Sequence, residues 1–133
     1  MLDAGVTVAL GTDGLLSTYR LDPFETMRQT LTLHRFVTGD PMALSSIQVL
    51  EMATIQGARA LGIEAGKISP GLKADITILD MRRLHLTPRT LGEHNNLTAL
   101  IVWCASTGDV ETVIVNGTVV VREGNLTLMD TQK

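Results

Sequence analysis

The sequence holds a single cysteine, Cys104, and only three histidines. One thiol cannot close an internal disulfide, and it rules out structural metal clusters of the Cys-x-x-Cys kind. That scarcity fits a reducing cytoplasm. Basic charge is not in surplus either: 11 Lys and Arg face 14 Asp and Glu for a net charge of -3, with no basic stripe to hold a phosphate backbone. Nucleic acid is therefore not expected as a partner. Long apolar runs are also missing. The longest, at residues 99–105, is too short to cross a bilayer, and the opening Met1-Leu-Asp-Ala-Gly lacks the basic and apolar regions of a signal peptide. The expectation is a protein neither exported by that route nor placed in a membrane.

What remains is a chain of 133 residues, about one domain by length, with 44% apolar residues. A mean hydropathy of +0.21 is high for so short a chain, so apolar surface is expected to be hidden against something outside it.

Periodicity divides the chain into two parts. Val6-Thr-Val-Ala-Leu10 predicts a buried strand that stops at Gly11-Thr-Asp-Gly14. Asp22-Pro23-Phe24-Glu25 then carries a capping-box pattern, and Phe24, Met27, Leu31, His34 and Val37 make one helical face that Gly39 ends. Ser45 or Ser46 caps a second helix with Ile47, Leu50 and Ala53 on one face, and Thr54 caps a third that ends at Gly62. Beyond residues 62–66 the pattern changes to strands. Residues 75–79 alternate, Pro70-Gly71 marks a turn, and residues 113–121 form a hairpin around Asn116-Gly117, which suits a type I′ turn. Residues 84–96 read as a long loop.

A lone strand ahead of several helices cannot make a sheet. Its hydrogen-bonding edges need a partner that the first part of the chain does not offer.

Asp13 stands just past the carboxyl end of that strand, where α/β barrels and open parallel sheets place reactive groups. A carboxylate there can ligate a metal or accept a proton. Read alone, Gly-x-Asp-Gly favours the simpler role of an aspartate capping its own turn.

Four segments together resemble a known family. Residues 9–14 (Ala-Leu-Gly-Thr-Asp-Gly), Met52-Ala-Thr54 with Gly57-Ala-Arg-Ala-Leu-Gly62, residues 66–75, and Val113-Ile-Val-Asn-Gly117 stand in the order seen in metal-dependent amidohydrolases. The branch with chlorohydrolases and the deaminases of adenosylhomocysteine, guanine and cytosine looks nearest. The resemblance implies an α/β chain from the carboxyl-terminal portion of such an enzyme. Residues 1–62 would be the last strand and following helices of a (β/α)8 barrel, and residues 63–133 part of a small β-sandwich, its strand tail reaching Leu128. It also implies that Asp13 ligates zinc or iron and takes a proton from metal-bound water, which then attacks an amidine or amide carbon. The substrate would be a small heterocycle.

Two departures stand out. The His-x-His pair of the family's first barrel strand is absent, as are its later histidines. His34 reads as a packed or boundary side chain, His85 and His94 as ordinary loop residues without ligand spacing. Cys104 reads as a small buried hydrophobe. After Gly14, Ser17, Tyr19 and Arg20 are either hydrogen-bonding groups for a polar ligand or plain loop residues, and Arg59 is expected to tie its helix to an acidic group or carbonyl. The leading expectation is a piece of a hydrolase of non-peptide C–N bonds, inactive alone and without a stable metal centre of its own. The alternative is a non-catalytic homo-oligomeric binding or scaffold module, and a third arrangement has a complementing chain supply the missing strands and histidines.

Overall fold

Asp22 starts the longest helix in the computed structural model, which describes residues 1–127; Leu128 lies outside the described residues. The Asp22 carboxylate accepts the Phe24 and Glu25 N–H groups at 3.0 and 3.1 Å, and Pro23 takes the first turn of α2 (Pro23–Thr38). The expected capping box is half formed. Glu25 does not reach back but accepts from Gln29 at 3.1 Å and lies 3.7 Å from Arg28. Gly39 closes the helix in the left-handed region at φ 67°.

The buried face of α2 is Phe24, Met27 and Leu31. One turn later it passes to Arg35, whose guanidinium donates to the Leu44 carbonyl and sits 5.4 Å from the Trp103 ring centre. His34 and Val37 are therefore exposed, contrary to the face expected from spacing. The last turn of the helix outruns the elements it packs on.

Helix α3 (Ser46–Ala53) begins at Ser45, which exchanges hydrogen bonds with Gln48 in a full capping box. Its buried residues are Val49 and Met52; Leu50 and Ala53 flank the core, and Ile47 faces solvent. Helix α4 (Ile55–Leu61) follows after Thr54 and ends at Gly62 with φ 66°. Thr54 caps by position only, because its hydroxyl turns back to the Leu50 carbonyl at 2.7 Å. A short helix α1 (Leu15–Thr18) precedes these.

Strands β1 (Ile76–Leu79), β2 (Val110–Val115), β3 (Thr118–Arg122) and β4 (Asn125–Leu126) form an antiparallel sheet in that order. Asn116 and Gly117 have φ 48° and 81°, as a type I′ hairpin requires. The Asp75 carboxylate accepts the Asn116 N–H at 2.6 Å, and the Gly117 N–H donates to the Ala74 carbonyl at 3.0 Å. Two motifs separated in sequence thus hold one turn.

Helix α5 (Leu97–Trp103) arises from the apolar run and packs on α2 and α3 through Leu100 and Val102. Ala105 is buried beside it, whereas Cys104, at the helix end, is exposed rather than buried. The long loop contains two 3-10 turns, Leu84–Leu86 and Gly92–His94, and the first drives Leu86 fully into the core. One hydrophobic cluster joins Phe24, Leu31 and Val49 to Leu86, Leu100 and Val102, and so draws on residues either side of Gly62.

The expected strand at residues 6–10 forms no ladder among the described residues. Its backbone bonds are from Val6 N–H to the Met1 carbonyl and from Leu10 N–H to the Met52 carbonyl, at 3.2 and 3.1 Å. Val8 and Leu10 lean on the core, yet no second strand lies alongside to take the remaining groups.

Candidate functional site

The segment ending at Asp13 is placed by the bond from Leu10 to Met52, the last buried residue of α3. Three residues on, Asp13 adopts φ 59°, a left-handed conformation that aspartate tolerates better than most side chains. Its Oδ1 accepts the Gly14 N–H at 2.6 Å, and the Thr12 hydroxyl donates to its carbonyl at 3.3 Å. The turn-capping role is thus real. It uses one carboxylate oxygen, while Oδ2 accepts no hydrogen bond among the described residues, and the side chain is exposed.

Residues 15–20 are all exposed. The Thr18 hydroxyl donates to the Arg20 carbonyl at 2.9 Å, and the Arg20 guanidinium lies 4.0 Å from Glu25. Ser17 and Tyr19 face solvent, as does Arg59, which makes no side-chain hydrogen bond or ion pair among the described residues, contrary to its expected tether.

Neither His34, on the outer side of α2, nor His94, in its 3-10 turn, joins Asp13 in a cluster. Among the described residues no three His, Cys, Asp or Glu side chains are grouped to hold a metal ion. A divalent site needs three or four protein ligands, so the residues present do not by themselves fit one.

A second polar cluster was not legible in the spacing of the histidines. His85 Nε2 lies 2.9 Å from Asp109 Oδ2, which also accepts the Ser106 N–H and hydroxyl at 2.9 and 3.0 Å. Burial pushes the Asp109 carboxyl up, but the bonds from His85 and Ser106 outweigh it and hold the group below its ordinary value. Ser106-x-x-Asp109 has the form of a capping box and was the available signal. Both donors meet the same carboxylate oxygen, and the serine hydroxyl is spent on it, so the trio is a clamp and not a nucleophile paired with a base.

A cavity of about 750 Å³ opens between the helices and the sheet. Leu50, Ala58, Leu61, Ile76, Leu79 and Val113 are among its walls, and Asp13 is not. Its one carboxylate, Asp75, is engaged by the hairpin. It is an apolar seat rather than a reaction chamber. Among the described residues no helix is long and apolar enough to cross a membrane.

Residues 1–120 match the profile of the amidohydrolase family. All of the chain aligns at 45% identity with 30% of the length of a 5-methylthioadenosine/S-adenosylhomocysteine deaminase from Pelotomaculum thermopropionicum. Among solved structures it resembles an adenosine deaminase from Xanthomonas campestris with bound zinc, at TM-score 0.89 and 32% identity, covering 98% of this chain and 29% of that one. It also resembles atrazine chlorohydrolase from Arthrobacter aurescens TC1 complexed with zinc, at TM-score 0.81 and 29% identity, covering 97% and 28%. The chain thus spans under a third of the length of these relatives. With the family matched over residues 1–120, most of its length, the chain belongs to the amidohydrolase family.

Proposed function

We propose that this chain is the carboxyl-terminal part of a metal-dependent deaminase that hydrolyses a non-peptide C–N bond of a small nucleoside-like heterocycle. Asp13 is one ligand of a zinc or iron centre whose other ligands come from outside these 133 residues. The observation that carries the reading is the free Oδ2 of an exposed carboxylate fixed through its Oδ1. The similar proteins, a 5-methylthioadenosine/S-adenosylhomocysteine deaminase, an adenosine deaminase and an atrazine chlorohydrolase, supply the class of reaction. In this reading residues 1–62 close the catalytic barrel and residues 63–133 contribute to a β-sandwich.

Incompleteness is supported by what the fold leaves open. Among the described residues, residues 6–10 have no strand partner and β1 is an edge, and Leu16 and Phe36 are 94% and 83% exposed. The isolated chain is therefore expected to bind no stoichiometric zinc and to lack deaminase activity. Isothermal titration tests this directly: one equivalent bound at micromolar affinity or better contradicts it. Sequencing the flanking DNA tests the assignment to the carboxyl-terminal part, since roughly 300 further in-frame residues upstream, in line with a barrel's size, support it. The same coding capacity lying downstream overturns it. In the complete polypeptide, Asp13→Ala is expected to lower bound metal and kcat/KM by about 100-fold or more, beyond the loss typical of an outer-shell contact.

The exposed apolar side chains also fit self-association, in which a second copy or a complementing chain covers them. Light scattering separates the readings. A monodisperse dimer of the 133-residue chain favours a module, and aggregation favours an incomplete enzyme.

A further inference from the structure

We propose that Gly66 is a positioning residue for Asp13, acting through the break between α3 and α4; this rests on the metal-ligand reading of Asp13 given above. Gly66 has φ 88° and presses against the other side of that break. A Cβ built on it meets Ile55 Cα at 2.7 Å, the Thr54 carbonyl oxygen at 2.8 Å and Ile55 N at 3.0 Å, all backbone atoms that cannot swing aside as a side chain would.

Just before the same break lies the one backbone hydrogen bond, among the described residues, between the Asp13 segment and α3. Thr54 leaves the helix at ψ -93°, with its N–H bonded to the Glu51 carbonyl and its hydroxyl to the Leu50 carbonyl. Its own carbonyl accepts the first-turn N–H of Ala58. Two residues earlier the Met52 carbonyl accepts Leu10 N–H, and Leu10 stands three residues before Asp13. Because the Thr54 N–H and hydroxyl are bonded into α3 and its carbonyl into α4, a displacement of Thr54 is passed to both helices. A methyl group at residue 66 displaces Thr54 and Ile55, shifts the Met52 carbonyl, and frees or re-aims the segment that ends at Asp13.

Gly71 supplies an internal control. Its φ is 86°, so alanine there suffers the same backbone strain, yet nothing lies within 4 Å of the added carbon. Strain alone and steric contact with the break are thereby separated.

The experiment is native-state amide hydrogen exchange on the 133-residue chain. In Gly66→Ala the Leu10 amide is expected to exchange at least about tenfold faster, with shifted Thr12 to Gly14 signals, while Gly71→Ala leaves both within about twofold of the parent. Equal effects of the two variants, or an unchanged Leu10 amide in a folded Gly66→Ala, overturn the proposal. Should Gly66→Ala not fold, the unsubstituted chain decides: the Leu10 and Ala58 amides are expected to open together, with the same dependence on denaturant. A Leu10 amide that opens independently of Ala58 overturns the linkage. Failure of the underlying reading has a different signature, an Asp13→Ala complete polypeptide that keeps its metal, and leaves the exchange result untouched.

Discussion

His85 and Asp109, 24 residues apart, meet at 2.9 Å, a half-exposed imidazole on a carboxylate that is 3% exposed. The contact pins the 3-10 turn that carries Leu86 to the start of β2, and the Asp109 carbonyl further accepts Asp80 N–H at 2.8 Å. A loop that reads as a polar connector is thereby made part of the core.

Removing the imidazole leaves Asp109 with its two Ser106 bonds. His85→Ala is expected to cost about 1 kcal/mol in urea unfolding at neutral pH, discounted because the ring is half in water. A midpoint within error of the parent would count against the clamp.

Asp109 also sets an acid limit. Its folded carboxyl lies below the ordinary value of 3.8, so the stabilisation is complete above that value and is lost as pH falls through the lower folded one. Unfolding free energy measured from pH 5 downward is expected to fall less steeply in Asp109→Asn than in the parent. Parallel slopes would remove Asp109 from the account.

Asp80 offers a cleaner titration. The Arg82 guanidinium, 2.7 Å away, holds its carboxyl down to about 2. Carboxyl carbon shifts followed by NMR are expected to give that value in the parent and a higher one in Arg82→Ala, where only the residue-82 N–H and Arg83 still favour the charged form.

Leu86→Ala tests whether the loop belongs to the core. The side chain is fully buried, and its truncation is expected to cost about 2–5 kcal/mol, against less than about 0.5 for Leu84→Ala at the start of the same turn, where the side chain is 88% exposed. Comparable losses at the two positions would show that burial does not decide the outcome.

Asp22→Ala removes a buried acceptor from two N–H groups at the start of α2 and is expected to cost about 1–2 kcal/mol by thermal or urea unfolding. Loss of helical circular dichroism ahead of the global transition would accompany it.

Local chemistry made much of this legible. The caps at Asp22 and Ser45, the helix ends at Gly39 and Gly62, and the Asn116-Gly117 hairpin each follow from a few adjacent residues whose backbone preferences leave little choice. Faces were harder. Spacing put His34 and Val37 inward, but which turns of α2 are covered depends on how far α3 and α5 extend beneath it, a property of the packed fold. Cys104 was misjudged for the same reason, since the step from Trp103 to Ala105 turns at a helix end. At Asp13 the motif gave the turn, and the proposed metal role rests on the family resemblance. Met52 and Gly66 both stand in segments that carry the resemblance, but their meetings with Leu10 and with the Thr54–Ile55 backbone are long-range and made by backbone atoms, which no local pattern encodes.

Because Leu31 and Val49 share their cluster with Leu86 and Val102, the chain cannot be exchanged piecemeal between relatives at residues 62–66. A chimera joined there inherits one side of a fitted surface from each parent. Recombination within the family is thus steered toward crossovers that keep both segments from a single ancestor, or toward ones accompanied by compensating changes across the seam.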